Sequence, residues 1–140
     1  MRILAGGLGV AAMLLVGFGL RIGTVEAQQK DLEAAKPEFY RQQVVPIFKR
    51  SCYRCHGGMN HRGGLNMETR DRLLRGGKDG VVLVPGDVNS LLVRLVKHEG
   101  PKENPMPMPD KGKRIPDADI AVIERWVRAG AVIPPDAKKD

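Results

Sequence analysis

Cysteine and aromatic residues are scarce in this 140-residue chain, which contains two Cys, three Phe, two Tyr and one Trp. No second C-x-x-C motif and no H-x-x-x-H motif accompanies the two cysteines, so a closed zinc site with four tetrahedral ligands fits poorly. Strand patterns are almost absent, which removes the βαβ context of a thioredoxin-like redox pair. Basic residues give a net charge of +7, but no nucleic-acid-binding motif accompanies them. These absences disfavour a zinc module, a thiol oxidoreductase and a nucleic-acid-binding protein.

Both cysteines lie in one short motif, residues 52–56, which read C-Y-R-C-H. This spacing is the attachment signature of a c-type haem. Residues three apart lie on one face of a helical turn, so both sulfurs can reach the two vinyl groups of one porphyrin. The histidine that follows can bind the iron from the proximal side. We therefore predict one covalently bound haem c, with Cys52 and Cys55 as thioether links and His56 as the proximal iron ligand.

The first 27 residues are typical of a secretory signal sequence. Arg2 is followed by an uncharged apolar run over residues 3–20, and residues 25–27 place small side chains before a cleavage point. We predict cleavage after Ala27. The alternative is an uncleaved membrane tether, since residues 3–20 just reach the length of a membrane span. Export would place the C-x-x-C-H motif in the periplasm, on the side of the bacterial inner membrane where haem is joined to cysteine.

The rest of the sequence predicts one all-α domain over residues 37–134, between a polar linker (28–36) and a polar tail (135–140). Glycines and proline-rich stretches separate its short helices. Helices are expected from Pro37 through the C-x-x-C-H motif with a restart at Pro46, over Asp71–Arg75, after Ser90, and over Asp117–Ala129. No internal repeat is visible, and the fold class is therefore predicted as all-α.

The sixth coordination position of the iron decides between an electron carrier and a haem that binds exogenous ligands. A methionine thioether is the usual partner of histidine in carriers. Met59 and Met67 are too close in sequence to the proximal histidine to reach the opposite haem face easily. Met106 and Met108 lie in a loop stiffened by prolines, which can hold a thioether against the iron at little ordering cost. We predict Met108 as the distal ligand, with Met106 as the second choice and a histidine as the third.

With these features placed, the chain resembles the planctomycete-type cytochrome c domain family over roughly residues 40–133. The resemblance is carried by short segments in the family's order: 45–48 (VPIF), 52–57 (CYRCHG), 63–65 (GGL), 73–74 (LL), 76–77 (GG), 84–87 (VPGD), 90–92 (SLL), 108–109 (MP) and 120–131 (IAVIERWVRAGA). The iron-binding methionine of the family begins a Met-Pro-Pro string shortly before the last helix, which aligns with Met108. Asp110 stands where the second proline is common, so Met106 stays an alternative.

The resemblance implies a small helical domain wrapped around one covalently bound haem. It implies a carrier of single electrons between redox proteins rather than an enzyme. It also implies that four apolar side chains line the porphyrin: Phe48, Leu91, Leu95 and Trp126. The excess of basic residues predicts acidic docking surfaces on the redox partners.

Two other classes of function remain as alternatives. A haem enzyme, or a gas or redox sensor, would leave the distal position open or displaceable. An interaction module stabilised by zinc or by a disulfide would use the cysteines without haem. Zinc would need further ligands, for which His56, His61 and His98 are the candidates.

Overall fold

The computed structural model describes residues 14–99, 105–108 and 112–135, with side chains from residue 23 onward. The chain divides into two compact units between Lys30 and Asp31. The predicted C-terminal tail lies outside the described residues except for Pro135.

Helix α1 runs over Leu14–Ala34 and supplies the described part of the first unit. Residues 28–36, predicted as a linker, are helical as far as Ala34, because Gln, Lys, Leu, Glu and Ala all have high helix propensity. The predicted cleavage point after Ala27 lies inside this helix, and residues 1–13 of the predicted signal lie outside the described residues. Within the described ranges, no helix is long and apolar enough to cross a bilayer.

The second unit begins with a broken helical segment that leads to the C-x-x-C-H motif. It consists of α2 (Pro37–Phe39), a π-helical turn (Tyr40–Val44), α3 (Val45–Ser51) and α4 (Tyr53–His56). Pro46 has no backbone N–H to donate to the preceding turn, and the turn before it is widened accordingly. The predicted restart is present, one residue earlier than expected, at Val45.

Four further elements complete the described part of the second unit. They are a 3₁₀ turn (Arg62–Gly64), α5 (Arg70–Arg75), α6 (Leu91–Val96) and α7 (Asp117–Arg128). The described residues contain no β-strand, only an isolated bridge between Gly77 and Gly80. The predicted all-α class is confirmed.

Side-chain hydrogen bonds close the turn before α6, and a backbone hydrogen bond closes the end of α7. Ser90 precedes α6 but does not cap it. Its hydroxyl donates to the Asp87 carbonyl at 2.5 Å and accepts from the Val84 N–H at 3.0 Å, which closes the turn before the helix. Gly130 ends α7 as predicted, with φ +100°, and the next N–H, of Ala131, donates to the Trp126 carbonyl at 2.8 Å.

An aromatic cluster links the last helix to the start of the unit. Trp126 on α7 and Phe48 on α3 are both fully buried, and their rings meet edge to face with centroids 5.9 Å apart. Tyr40 packs on the same indole at 5.4 Å. Truncating a fully buried aromatic residue of this kind costs about 3–5 kcal/mol. Because Phe48 lies four residues before Cys52, this core fixes where the C-x-x-C-H turn begins.

Candidate haem-binding site

The C-x-x-C-H motif forms a tight helical turn at the end of α3. The Cys52 N–H donates to the Phe48 carbonyl at 2.8 Å, which makes Cys52 the last hydrogen-bonded residue of that helix. The N–H groups of Cys55 and His56 donate back to the Cys52 carbonyl at 3.0 and 2.9 Å. The two thiols are not bonded to each other. The turn that the spacing predicts is therefore present, with both sulfurs available.

This turn borders a cavity of about 700 Å³ in the second unit, a size within the range of small-molecule and cofactor sites. Helix α6 and the segments on either side of it supply most of the apolar wall. The apolar lining residues are Leu65, Met67, Val82, Leu91, Leu92, Leu95, Val96, Met106, Pro107, Met108 and Ile115. Cys52, Cys55 and His56 all line the same cavity. The structure thus brings the predicted thioether and iron ligands together against a large apolar space.

Charged residues of the cavity lining are mostly basic. Five of the lining residues are basic, and we call them the basic rim: Arg50, Arg54, Arg62, Lys78 and Lys113. Asp79 is the acidic residue among the described lining residues. Arg50 Nη2 pairs with Asp119 Oδ2 at 2.6 Å, whereas the other four have no ion pair with any described residue. The lining therefore combines an apolar wall with an uncompensated positive charge.

The His56 ring has the properties of a metal ligand. Its Nδ1 is buried and has no hydrogen-bond partner among the described residues. Burial lowers the pKa of His56, and the charge of Arg62 adds to this, although backbone groups of Leu65 and Arg62 partly oppose the shift. The ring is therefore neutral near pH 7, the form that binds metals. A buried ring nitrogen without a partner is unusual in a folded protein unless another group completes it, and haem iron fits that requirement.

The environment of Cys52 favours the neutral thiol. Burial, followed by the nearby Cys55, raises the pKa of Cys52 to about 12.

In the described part of the chain, no group of three or more His, Cys, Asp or Glu side chains converges on a metal site. Nothing described therefore supports the zinc alternative.

The other two histidines do not line the cavity. His61 Nε2 lies 2.7 Å from Asn66 Nδ2 and 2.8 Å from the Gly58 carbonyl oxygen, so its polar contacts stay within its own loop. His98 has a positive φ of 62°, and its buried Nε2 has no described partner. Neither residue is placed where it could complete a site with the cysteines.

The four methionines of the predicted domain are placed very differently. Met106 and Met108 both line the cavity. Met59 is 99% exposed. Met67 is buried in the cavity wall, and its N–H donates to the His56 carbonyl at 2.8 Å. Sequence reasoning set Met67 aside as a ligand and so missed its contribution to the wall on the His56 side.

The four predicted porphyrin contacts separate into two pairs. Leu91 and Leu95 line the cavity. Phe48 and Trp126 pack against each other in the core and are not among the lining residues, so a haem contact for these two stays a prediction. Sequence reasoning missed Val82 and Ile115, which line the wall from segments without helical periodicity.

Glycines allow two loops to meet backbone to backbone at the cavity. Gly63 and Gly77 both line it, and the Lys78 N–H donates to the Gly63 carbonyl at 2.7 Å. A Cβ atom on Gly77 would lie 2.6 Å from that carbonyl oxygen, and one on Gly76 would lie 2.1 Å from the Gly80 oxygen. Side chains at these positions are therefore excluded by contact with backbone, which cannot move aside cheaply.

Comparison with known families decides the class of the domain. The family described as Planctomycete cytochrome C matches residues 52–110, a span that includes the C-x-x-C-H turn, α6 and both candidate methionines. Residues 52–110 therefore match a planctomycete cytochrome c domain. The family predicted from the sequence is confirmed. No curated protein and no solved structure matches the chain.

The match to this family indicates the general chemistry of the domain. A cytochrome c domain implies haem c, and its role is electron transfer rather than catalysis. Such domains are typically exported. The cavity, the two thiols and the neutral imidazole are the features of this chain that fit the group.

Proposed function

We propose that this protein is a monohaem c-type cytochrome that carries single electrons between redox partners in the periplasm. One observation carries the proposal: Cys52, Cys55, His56 and a methionine-bearing segment line one apolar cavity of about 700 Å³. One C-x-x-C-H motif provides thioether links for one haem.

Five of the lining residues have specific roles in this proposal. Cys52 and Cys55 form the thioether links, His56 is the proximal iron ligand, and Met108 is the distal ligand. Leu91 packs with the rest of α6 against the porphyrin. Haem c, when bound, supplies a one-electron iron couple, and thioether ligation raises its reduction potential. The apolar wall limits the access of water, which also tunes the potential.

The basic rim is the proposed docking surface for an acidic redox partner. Four of its five side chains have no described ion pair, and the chain carries a net charge of +7. Positive charge around the cavity would steer a negatively charged protein toward the haem and speed association, most strongly at low salt.

Covalent attachment and processing are tested by intact mass. The full chain is expressed in a bacterium that has the haem-attachment machinery, and the exported protein is purified. We expect the mass of one haem added to a chain that begins at Gln28, together with a cytochrome absorption spectrum. The Cys52→Ala/Cys55→Ala double variant is the control and should be colourless. Colourless wild-type protein with both thiols open to alkylation in denaturant would refute the proposal.

Docking is tested by the ionic-strength dependence of electron transfer to a small acidic redox protein. We expect Lys78→Glu to slow the second-order rate and to flatten its salt dependence. Arg128→Glu is the matched control, because Arg128 is exposed but does not line the cavity. Equal slowing in the two variants would show that net charge matters and the rim does not.

A further inference from the structure

Two thioether side chains, not one, line the cavity that the predicted attachment residues also line. Met106 and Met108 both line the cavity, and both are half-buried. They are two residues apart on either side of Pro107, which lines the cavity as well. A single resident ligand would require only one of these side chains to face the cavity.

The backbone holds the two methionines by separate ties. The Met106 N–H donates to the carbonyl of Leu95, itself a lining residue, at 3.2 Å. The carbonyl of Met108 accepts from the Gly112 N–H at 3.0 Å. Gly112 also leaves room for Pro107, whose Cβ lies 3.4 Å from the position a Cβ would take on that glycine. Neither methionine therefore depends on the other for its place in the wall.

Methionine side chains are suited to sharing one site. Three rotatable bonds let a thioether reach an atom from more than one backbone position. Pro107 restricts the segment before folding, so presenting both side chains to the cavity costs little additional ordering. Each side chain is long enough to reach one coordination position, and each residue is held by its own backbone hydrogen bond. Either sulfur can therefore occupy that position.

We propose that Met106 and Met108 form a two-thioether site, in which Met108 is the resident distal ligand and Met106 the reserve. The inference rests on the proposed function, since it requires haem c in the cavity. Exchange breaks the bond between the iron and one thioether sulfur and forms the bond to the other. No electron or proton is gained or lost in this step. The reserve keeps the sixth position filled when the resident thioether is lost.

The test uses the haem-loaded, full-length protein and three variants: Met106→Leu, Met108→Leu and the double variant. Leu keeps the volume and apolar character of Met, and covalent attachment retains the haem in every variant. The first readout is the thioether-to-iron charge-transfer band of the oxidised protein. The second is the apparent affinity for imidazole, which rises with the fraction of protein whose sixth position is open.

We expect the band in the wild type and in both single variants, and its loss in the double variant. Imidazole affinity should change by less than about tenfold in each single variant and by a larger factor in the double variant. Met67→Leu and Met59→Leu are the controls for a buried wall position and an exposed position. Neither should change the band.

Each other outcome overturns the inference in a distinct way. Loss of the band in Met108→Leu alone would leave Met108 as sole ligand and the proposed function intact. Loss in Met106→Leu alone would assign the ligand to Met106. A band that survives in the double variant would assign the position to a different methionine. A haem-loaded wild type without the band would refute methionine ligation altogether, which is a failure of the proposed carrier rather than of the reserve site.

Discussion

The two sides of the cavity are held in different ways. The attachment wall comprises residues 52–67 with Gly76–Lys78, and the methionine wall comprises residues 105–108 with 112–115. The attachment wall continues a helix that is anchored in the aromatic core, and its loops meet backbone to backbone. The methionine wall is held by two described backbone hydrogen bonds and by ion pairs at its base. The first wall is anchored by core packing and backbone contacts, whereas the second depends mainly on polar ties.

Polar ties at the base of the methionine wall are partly exposed. The Arg114 side chain contacts residues that precede and follow the methionine wall in the chain. Its Nη1 lies 2.7 Å from Asp117 Oδ1, and its Nε donates to the Lys97 carbonyl at 3.4 Å. Lys97 Nζ lies 3.2 Å from Glu124 and 3.3 Å from Glu99, and these carboxylates, Glu124 first, raise the pKa of Lys97. Exposed pairs of this kind contribute little to stability. The methionine wall therefore has weaker support than the attachment wall.

The largest expected effect concerns thiol reactivity in the attachment wall. In the haem-free polypeptide, we expect Cys52 to be alkylated on the order of 100–1,000 times more slowly at pH 8 in native buffer than in denaturant. The reason is the pKa of Cys52, raised from 9.0 to about 12, because only the thiolate reacts. Peptide mapping after timed alkylation measures the rate. Equal rates in buffer and denaturant would contradict the burial of this thiol.

The same shift predicts how the stability of the haem-free polypeptide depends on pH. A pKa raised on folding means that the folded state keeps a proton that the unfolded state loses between pH 9 and 12. The contribution of Cys52 to stability is therefore fully present below pH 9 and is lost as the pH rises toward 12. The Cys52→Ala variant should lack this part of the alkaline loss. An unchanged alkaline profile in that variant would contradict the prediction.

A third prediction tests the packing of the attachment wall directly. Gly76→Ala should lower the free energy of unfolding by about 2–5 kcal/mol, because alanine is strained at its φ of +81° and its Cβ would also meet the Gly80 oxygen. Gly86→Ala is the matched control, since Gly86 has a φ of +83° but no atom within 4 Å of a Cβ. It should lose only about 1–2 kcal/mol. Urea unfolding followed by circular dichroism measures both, and equal losses would show that the backbone contact is unimportant.

The smallest expected effect on stability belongs to the methionine wall. Arg114→Gln should cost less than about 1 kcal/mol, as should Arg41→Gln, which removes an exposed pair with Glu38. In the haem-loaded protein, only Arg114→Gln should raise the apparent affinity for imidazole, because it loosens the base of the segment that carries the methionines. If both variants bind imidazole like the wild type, the ties at Arg114 do not position the distal ligand.

Local features of the structure were largely predictable from the sequence. The turn at residues 52–56, the restart near Pro46 and the end of α7 at Gly130 depend on neighbouring residues along the chain, and all three are present. Residues 28–36 were predicted as a linker from their polar composition, and residues 28–34 are helical because the same residues favour helix.

Contacts between distant segments were harder to predict. Leu91 and Leu95 line the cavity while Phe48 and Trp126 fill the core, although all four are apolar residues on amphipathic helices. Periodicity identifies the buried face of a helix but not which neighbour covers it. Met67 was considered only as an iron ligand and was set aside because it is close to His56 in sequence. Lining the cavity does not require a large separation in sequence, so its place in the wall was missed.

The sequence by itself determined the turn that is the candidate for haem attachment, because two thiols and an imidazole at a fixed spacing lie within a single helical turn. It also determined the helical class, since the repeat of apolar residues sets which segments can be helices. Only the tertiary structure decided that α6, Val82, Ile115 and two methionines share one wall, and that glycine loops meet backbone to backbone beside it. Those arrangements depend on how segments far apart in the chain exclude water together, and no local pattern specifies that.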